Sequence, residues 1–195
     1  MNPDIQHEID RLEAMSKQGE SYANAEGRHG WRNPIRSDTG PLLSGLVSKH
    51  GARRILEVGT AHGLSALHLC RGWSTTEGCH METIEFHEEV AAASQERFDR
   101  LALPIRVHAG EAMAVIQGEL TGVYDLVFLD AQKSHYGDQW RALCALELVG
   151  KGTLLLADNV IDRAEECAGL FEALKEQGVS YHIEQTECGL LVATL

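Results

Sequence analysis

The sequence predicts an α/β fold with one mostly parallel sheet and helices on both of its faces. Three observations carry this. The apolar runs Val127-Phe128-Leu129 and Leu154-Leu155-Leu156-Ala157 lack polar alternation, as do parallel strands covered on both sides. Segments with helical spacing alternate with strand-like runs, as crossover connections require. Only the last two strands, which meet at Glu187-Cys188-Gly189, are joined closely enough to be antiparallel.

Taken in order, Ile5, Ile9, Leu12 and Met15 recur at helical spacing on a polar segment. That stripe suits core packing, a homodimer contact or a substrate lid. Residues 19–36, rich in Gly, Asn and Arg, read as a loop. Asp38-Thr39 is an N-cap signal for a helix through Leu42, Leu43, Leu46 and Val47 that stops at Gly51. Strands are expected at 54–58, 81–84, 105–108, 124–129 and 153–157. Helices are expected at 64–71, 87–101, 111–117, 136–149 and 165–177, and the closing strands at 179–184 and 190–194. This makes seven strands. No repeat, low-complexity tract or long linker interrupts them, so residues 1–195 read as one domain, with 1–37 its N-terminal helix and loop.

A chain of 195 residues is long enough for one α/β core. Its formal net charge of −12 argues against nucleic-acid backbones and anionic membranes as partners. No apolar run approaches the ~20 residues of a membrane span. The opening MNPDIQHEIDRLEAM is charged throughout, unlike a signal peptide. Five cysteines, none in a C-x-x-C pair, point to reduced thiols in a cytoplasmic protein and not to zinc. None of the ten histidines forms H-x-x-x-H or H-E-x-x-H.

Two strand ends are the most informative positions. Asp130 closes one apolar run and Asp158-Asn159 the other. A carboxylate there is poorly solvated unless something compensates it. Ligands of open α/β sheets bind at this edge. Two carboxylates and an amide oxygen form a hard, oxygen-only set suited to magnesium or calcium, with positions left for water and substrate. Taken singly, each reads better as a helix cap or turn residue, and it is the pair on neighbouring apolar strands that points to a metal.

Glu57-Val58-Gly59-Thr60-Ala61-His62-Gly63-Leu64-Ser65 follows the first strand and opens a helix. Gly59 and Gly63 allow close backbone approach to a ligand. The spacing is G-x-x-x-G, with Ala61 where a dinucleotide fingerprint has its middle glycine. A nucleoside without a diphosphate fits better than a nicotinamide cofactor. Glu85, ending the second strand, is placed to accept hydrogen bonds from ribose hydroxyls.

With these motifs the sequence resembles the cation-dependent O-methyltransferases that use S-adenosylmethionine, the group of catechol and caffeoyl-CoA O-methyltransferases. E-V-G-T-A-H-G-L-S resembles its first cofactor motif and T-I-E-F the strand ending in its ribose-binding acid. F-L-D-A-Q-K-S-H-Y and L-A-D-N-V resemble its two metal segments. The resemblance implies a Rossmann-like class I methyltransferase fold, seven-stranded with an antiparallel C-terminal strand. It implies that Asp130, Asp158 and Asn159 bind Mg2+ or another divalent cation. It places Glu57, Gly59, Ala61, Gly63, Ser65, Glu85, Phe86, Gly110, Ala112 and Asp130 around S-adenosylmethionine. Lys133 matches the general base, and Tyr136 a tyrosine of unassigned role. The loop after Asn159 is short, and His29-Gly30-Trp31-Arg32 matches no pattern tied to one acceptor.

The chemistry suits those residues. Methyl transfer from sulfonium to oxygen is an in-line displacement, in which alignment supplies much of the rate. A phenol, with a pKa near 10, needs help to ionise at neutral pH, and a divalent cation gives it. Two adjacent hydroxyls can chelate such a cation, so the expected acceptor is a small phenolic, catechol-like molecule. A nearby cation and partial burial would favour the neutral amine of Lys133; the alternative is a lysine that neutralises the aspartates. His135 reads as solvated, while His182 and Trp31 are candidates for the pocket rim. The competing readings are a tRNA nucleoside as acceptor, a non-catalytic S-adenosylmethionine-binding protein and a nicotinamide dehydrogenase.

Overall fold

The computed structural model describes residues 3–17 and 34–195. The sequence-based expectations for residues 19–33, Trp31 among them, lie outside the described residues. The strands are β1 Arg54–Val58, β2 His80–Glu85, β3 Ile105–Ala109, β4 Leu126–Leu129, β5 Leu154–Ala157, β6 Tyr181–Glu184 and β7 Leu190–Thr194. They form one sheet in the order β3-β2-β1-β4-β5-β7-β6. Every pairing is parallel except β5 with β7 and β7 with β6. The helices are α1 Pro3–Lys17, α2 Thr39–His50, α3 Leu64–Arg71, α4 Glu88–Arg100, α5 Ala112–Gly118, α6 Tyr136–Ala145 and α7 Ala168–Glu176.

The sheet is buried on both faces, which is why its central strands read as continuous apolar runs. Ile55, Phe128 and Leu156 point to one side, into a cluster with α1, α2, α3 and α4. Leu56, Val127 and Leu155 point to the other, against α5, α6 and α7. Side chains alternate across a strand, so both layers draw on neighbouring residues. The α1 stripe belongs to the first layer: Ile5, Ile9 and Leu12 are buried in it. Of the three uses open to that stripe, the structure selects core packing for these residues.

Several boundaries differ from expectation for local reasons. Asp38 does not cap α2. Its carboxylate accepts the Glu187 backbone N–H at 2.7 Å and tethers the approach to α2 to the β6–β7 connection. Gly51 ends α2 as expected, in the left-handed region at φ 75°. β4 starts at Leu126, and just before it the Asp125 carboxylate takes the Arg53 and Arg54 N–H groups at 2.9 and 2.8 Å. Glu111 lies before α5 and caps it, accepting from Met113 and Ala114.

Candidate active site

Register places the site. Val58 of β1 is level with Ile84 of β2 and Leu129 of β4, and Leu129 is level with Ala157 of β5. The next residue on each strand is therefore Gly59, Glu85, Asp130 or Asp158, side by side at the carboxyl edge. The ladder continues one step into this row: Gly59 N–H donates to Ile84 O at 3.0 Å, Asp130 N–H to Val58 O at 2.9 Å and Asp158 N–H to Leu129 O at 3.0 Å. Ala109 of β3 pairs with Glu85 and takes the β3 place in this row, with Gly110 one step beyond it, its N–H on Glu85 O at 2.9 Å. The chain crosses from β1 to β2 on one side and later to β4 on the other, and the row straddles that switch point, where open α/β sheets bind ligands.

Gly59 is what lets β1 and β4 close on each other here. Its φ is +105°, and a Cβ would stand 2.6 Å from the backbone oxygen of Asp130. Beyond it the turn is held by side chains. Ala61 adopts φ 44°, unfavourable for a residue with a Cβ, and donates its N–H to Glu85 Oε2 at 2.8 Å. Glu85 Oε1 accepts the His87 N–H at 3.0 Å. Each oxygen thus takes one backbone donor and keeps a lone pair for another. Glu57 is fully buried under the turn. Burial pushes its carboxyl up to about 8, outweighing the Ser65 and Thr83 hydroxyls that favour its ion. Thr83 Oγ1 donates to Glu57 Oε2 at 2.6 Å and meets the Thr60 hydroxyl at 2.6 Å. Phe86 is 66% exposed just past Glu85, and Glu111 orders the turn from Gly110 into Ala112.

The other half of the site is acidic. Asp158 is only 2% exposed, and its Oδ1 has no hydrogen-bond partner. Burial first, then the Asp130 charge, pushes its carboxyl up to about 7. Burial also raises Asp130, against the pull of Lys133. Lys133 Nζ donates to Asp130 Oδ1 at 3.0 Å, from a 3-10 turn spanning Lys133–His135. Asn159 adopts φ 66°, which Asn tolerates, and its Nδ2 donates to Asp162 Oδ2 at 3.5 Å. Among the described residues no group of three His, Cys, Asp or Glu side chains is gathered to hold a metal. The candidate set is two carboxylates and an amide. It is hard, oxygen-only and electrostatically underpaid, and a divalent cation fits it.

Sequence reasoning left Tyr136 without a role. The structure gives it a supporting one: it is fully buried, its hydroxyl donates to the Asp158 backbone oxygen at 3.4 Å, and Lys133 Nζ lies 5.7 Å from its ring centroid. His135 is exposed. His182 lies on β6, two strands out from β5, exposed beside Glu184. Reading the sequence missed Asp162, whose charge raises both Asp130 and Asp158. It also missed Ser94 and Arg97 of α4, which bond to the glycine turn. Neither carries a local motif; only folding brings them there.

Comparison with known proteins identifies a family and a shared fold. Residues 23–169 match the O-methyltransferase family. A catechol O-methyltransferase of Niastella koreensis is 32% identical over 134 residues, covering 65% of this chain and 58% of that protein. One from Mycobacterium tuberculosis is 33% identical over 135 residues, covering 67% and 58%. The chain thus spans a little over half the length of these curated relatives. The crystal structure of an O-methyltransferase from Bacillus cereus in complex with SAH superposes with a TM-score of 0.75, at 25% identity, over 96% of this chain and 90% of that one. With a family match across most of its length, this chain belongs to the O-methyltransferase family.

Proposed function

We propose that this chain is an S-adenosylmethionine-dependent O-methyltransferase whose acceptor is a small aromatic vicinal diol, held at a divalent cation bound by Asp130, Asp158 and Asn159. One observation carries the reading. Two strand-end carboxylates stand on adjacent strands beside a glycine turn, and the deeper one, Asp158, is buried with an unpartnered oxygen. Such a group is unstable as an ion unless a cation joins it. Family membership and the SAH-bound Bacillus cereus relative support the choice of donor. The net charge of −12 favours a small molecule over a nucleic acid.

In this reading the turn from Gly59 to Gly63 seats the methionine end of the donor, with Ser65 at the start of α3. Glu85 accepts from the ribose with its remaining lone pairs, and Phe86 and the Gly110–Ala112 turn flank the base. A divalent cation at the acidic set supplies a Lewis acid that favours the ionised hydroxyl. Lys133 Nζ, within hydrogen-bond distance of Asp130, takes the proton from the acceptor hydroxyl. Both halves sit on neighbouring strand ends, which would fix the acceptor oxygen relative to the donor's methyl group.

The test is methyl transfer from labelled donor to catechol, caffeate and flavonoid diols, with magnesium and with excess chelator. Transfer should require magnesium and two adjacent hydroxyls. Full activity in chelator, or equal transfer to monophenols, would refute the chelation reading.

A further inference from the structure

The turn that seats the donor is fixed from outside the pocket, by one face of α4. Ser94 Oγ donates to Ala61 O at 2.9 Å, and Arg97 Nη1 donates to His62 O at 2.9 Å. Phe98 completes that face: a Cβ on Gly63 would stand 2.6 Å from its ring. These positions are i, i+3 and i+4 of a helix, the spacing that presents three side chains to one neighbour. The turn is closed by Gly63 N–H donating to Thr60 O at 2.8 Å and pinned by Ala61 N–H on Glu85. Its left-handed Ala61 is therefore held from both sides, as a strained residue must be to persist. Peptide planes put N–H and C=O on opposite sides. Drawing the Ala61 and His62 carbonyls onto α4 turns the amides of the same peptides away from it.

Arg97 is itself held. Its Nε donates to Glu8 Oε1 of α1 at 2.8 Å, and both side chains are buried. Arg11 and Arg100 also reach Glu8, at 2.6 and 3.3 Å. Burial alone would raise the Glu8 carboxyl, but the three guanidinium groups hold it down at about 2. A buried ion pair of this kind is weak evidence for stability by itself, since its desolvation cost can exceed its attraction. What this one achieves is geometric. It fixes the guanidinium that carries the His62 carbonyl and ties the N-terminal helix to the donor's seat.

We infer that Ser94 and Arg97 are positioning residues for S-adenosylmethionine, and that Glu8 acts on the donor's seat through Arg97. The inference rests on the reading of the Gly59–Gly63 turn as that seat. The test compares Ser94→Ala, Arg97→Lys and Glu8→Gln with Gln95→Ala. Gln95 lies on the same helix but bonds to Val107 N–H and Ile105 O of β3, not to the turn. Binding of S-adenosylhomocysteine is measured by calorimetry, steady-state kinetics with varied donor give KM and kcat, and Tm reports stability.

Loss of one hydrogen bond should weaken binding about three- to tenfold in Ser94→Ala, and of a charged one about tenfold in Arg97→Lys. The donor KM should rise with kcat nearly unchanged, the pattern of lost uniform binding. Glu8→Gln should move KM in the same direction by less. Gln95→Ala should lower Tm and leave donor affinity alone. If Ser94→Ala and Arg97→Lys bind like wild type, or Gln95→Ala loses as much affinity for the same fall in Tm, the residues are structural and the inference fails. If the wild-type chain itself binds no S-adenosylhomocysteine, the functional reading falls, and this inference with it.

Discussion

Replacing Asp158 by Asn should make the protein more stable at pH 8 in chelator while removing a ligand of the proposed cation site. The side chain is 2% exposed and its Oδ1 has no partner, so ionising it in place is costly. Its folded value of about 7 stands against an ordinary 3.8. At about 1.36 kcal/mol per pH unit, that gap corresponds to a ceiling of about 4 kcal/mol. The direction is fixed by proton counting. Between pH 3.8 and 7 the folded chain keeps a proton that the unfolded chain has released. Wild-type stability therefore falls as pH rises through that window, and the full penalty is present above it. Asn keeps the shape without the charge and escapes the penalty. Part of the gap comes from repulsion by Asp130, which itself ionises more easily once Asp158 is neutral. A gain of about 2–4 kcal/mol at pH 8 is expected, or about 5–15 °C in Tm for a chain of this size. Thermal melts of both proteins in chelator, from pH 4 to 8.5, measure it. The difference should shrink toward zero near pH 4. Magnesium should raise the wild-type Tm at pH 8 and leave the variant where it is. A variant no more stable than wild type at pH 8 would show that burial does not leave Asp158 short of a countercharge.

Two further substitutions probe the two halves of the site. Gly59→Ala puts a Cβ 2.6 Å from the Asp130 backbone oxygen at a φ of +105°. Backbone strain and overpacking together should cost about 2–5 kcal/mol. The clash is with the peptide of Asp130, a proposed cation ligand, so magnesium affinity, read by calorimetry, should fall along with the melting temperature. An unchanged Tm would mean that β1 and β4 do not need this close approach. Lys133→Ala should lower kcat by about 10²–10⁴, the range for loss of a positioned proton acceptor, and leave S-adenosylhomocysteine binding within a few-fold. An unaltered kcat across pH would remove Lys133 from proton transfer and leave it a countercharge for Asp130.

What a reader can extract from the sequence here follows from how local each signal is. The apolar runs at 126–129 and 154–157 are legible because strands covered on both faces have no polar side to show. Asp130 and Asp158 stand out because each ends such a run, and Gly59 to Gly63 because glycine and strand-to-helix geometry coincide in consecutive residues. The sequence was less informative where a residue has partners in two places. Asp38 carries an N-cap signature, yet its carboxylate is claimed by Glu187, 149 residues away along the chain. Tyr124 looks like the start of a strand, but its N–H goes to Leu148 O and its hydroxyl to the buried carboxylate of Glu82.

By itself, then, the order of residues determined the alternation of strands and helices, the place of the turn and the oxygen-rich strand ends. Periodicity and glycine act over a few residues and need no partner to be read. Only the tertiary structure decided that Asp158 is buried with a bare oxygen, that Gly59 is forced by the Asp130 peptide, and that α4 and α1 brace the turn through Ser94, Arg97 and Glu8. Burial, close approach and long-range pairing are properties of which segments meet, and that is set by the packing of the whole chain around one sheet.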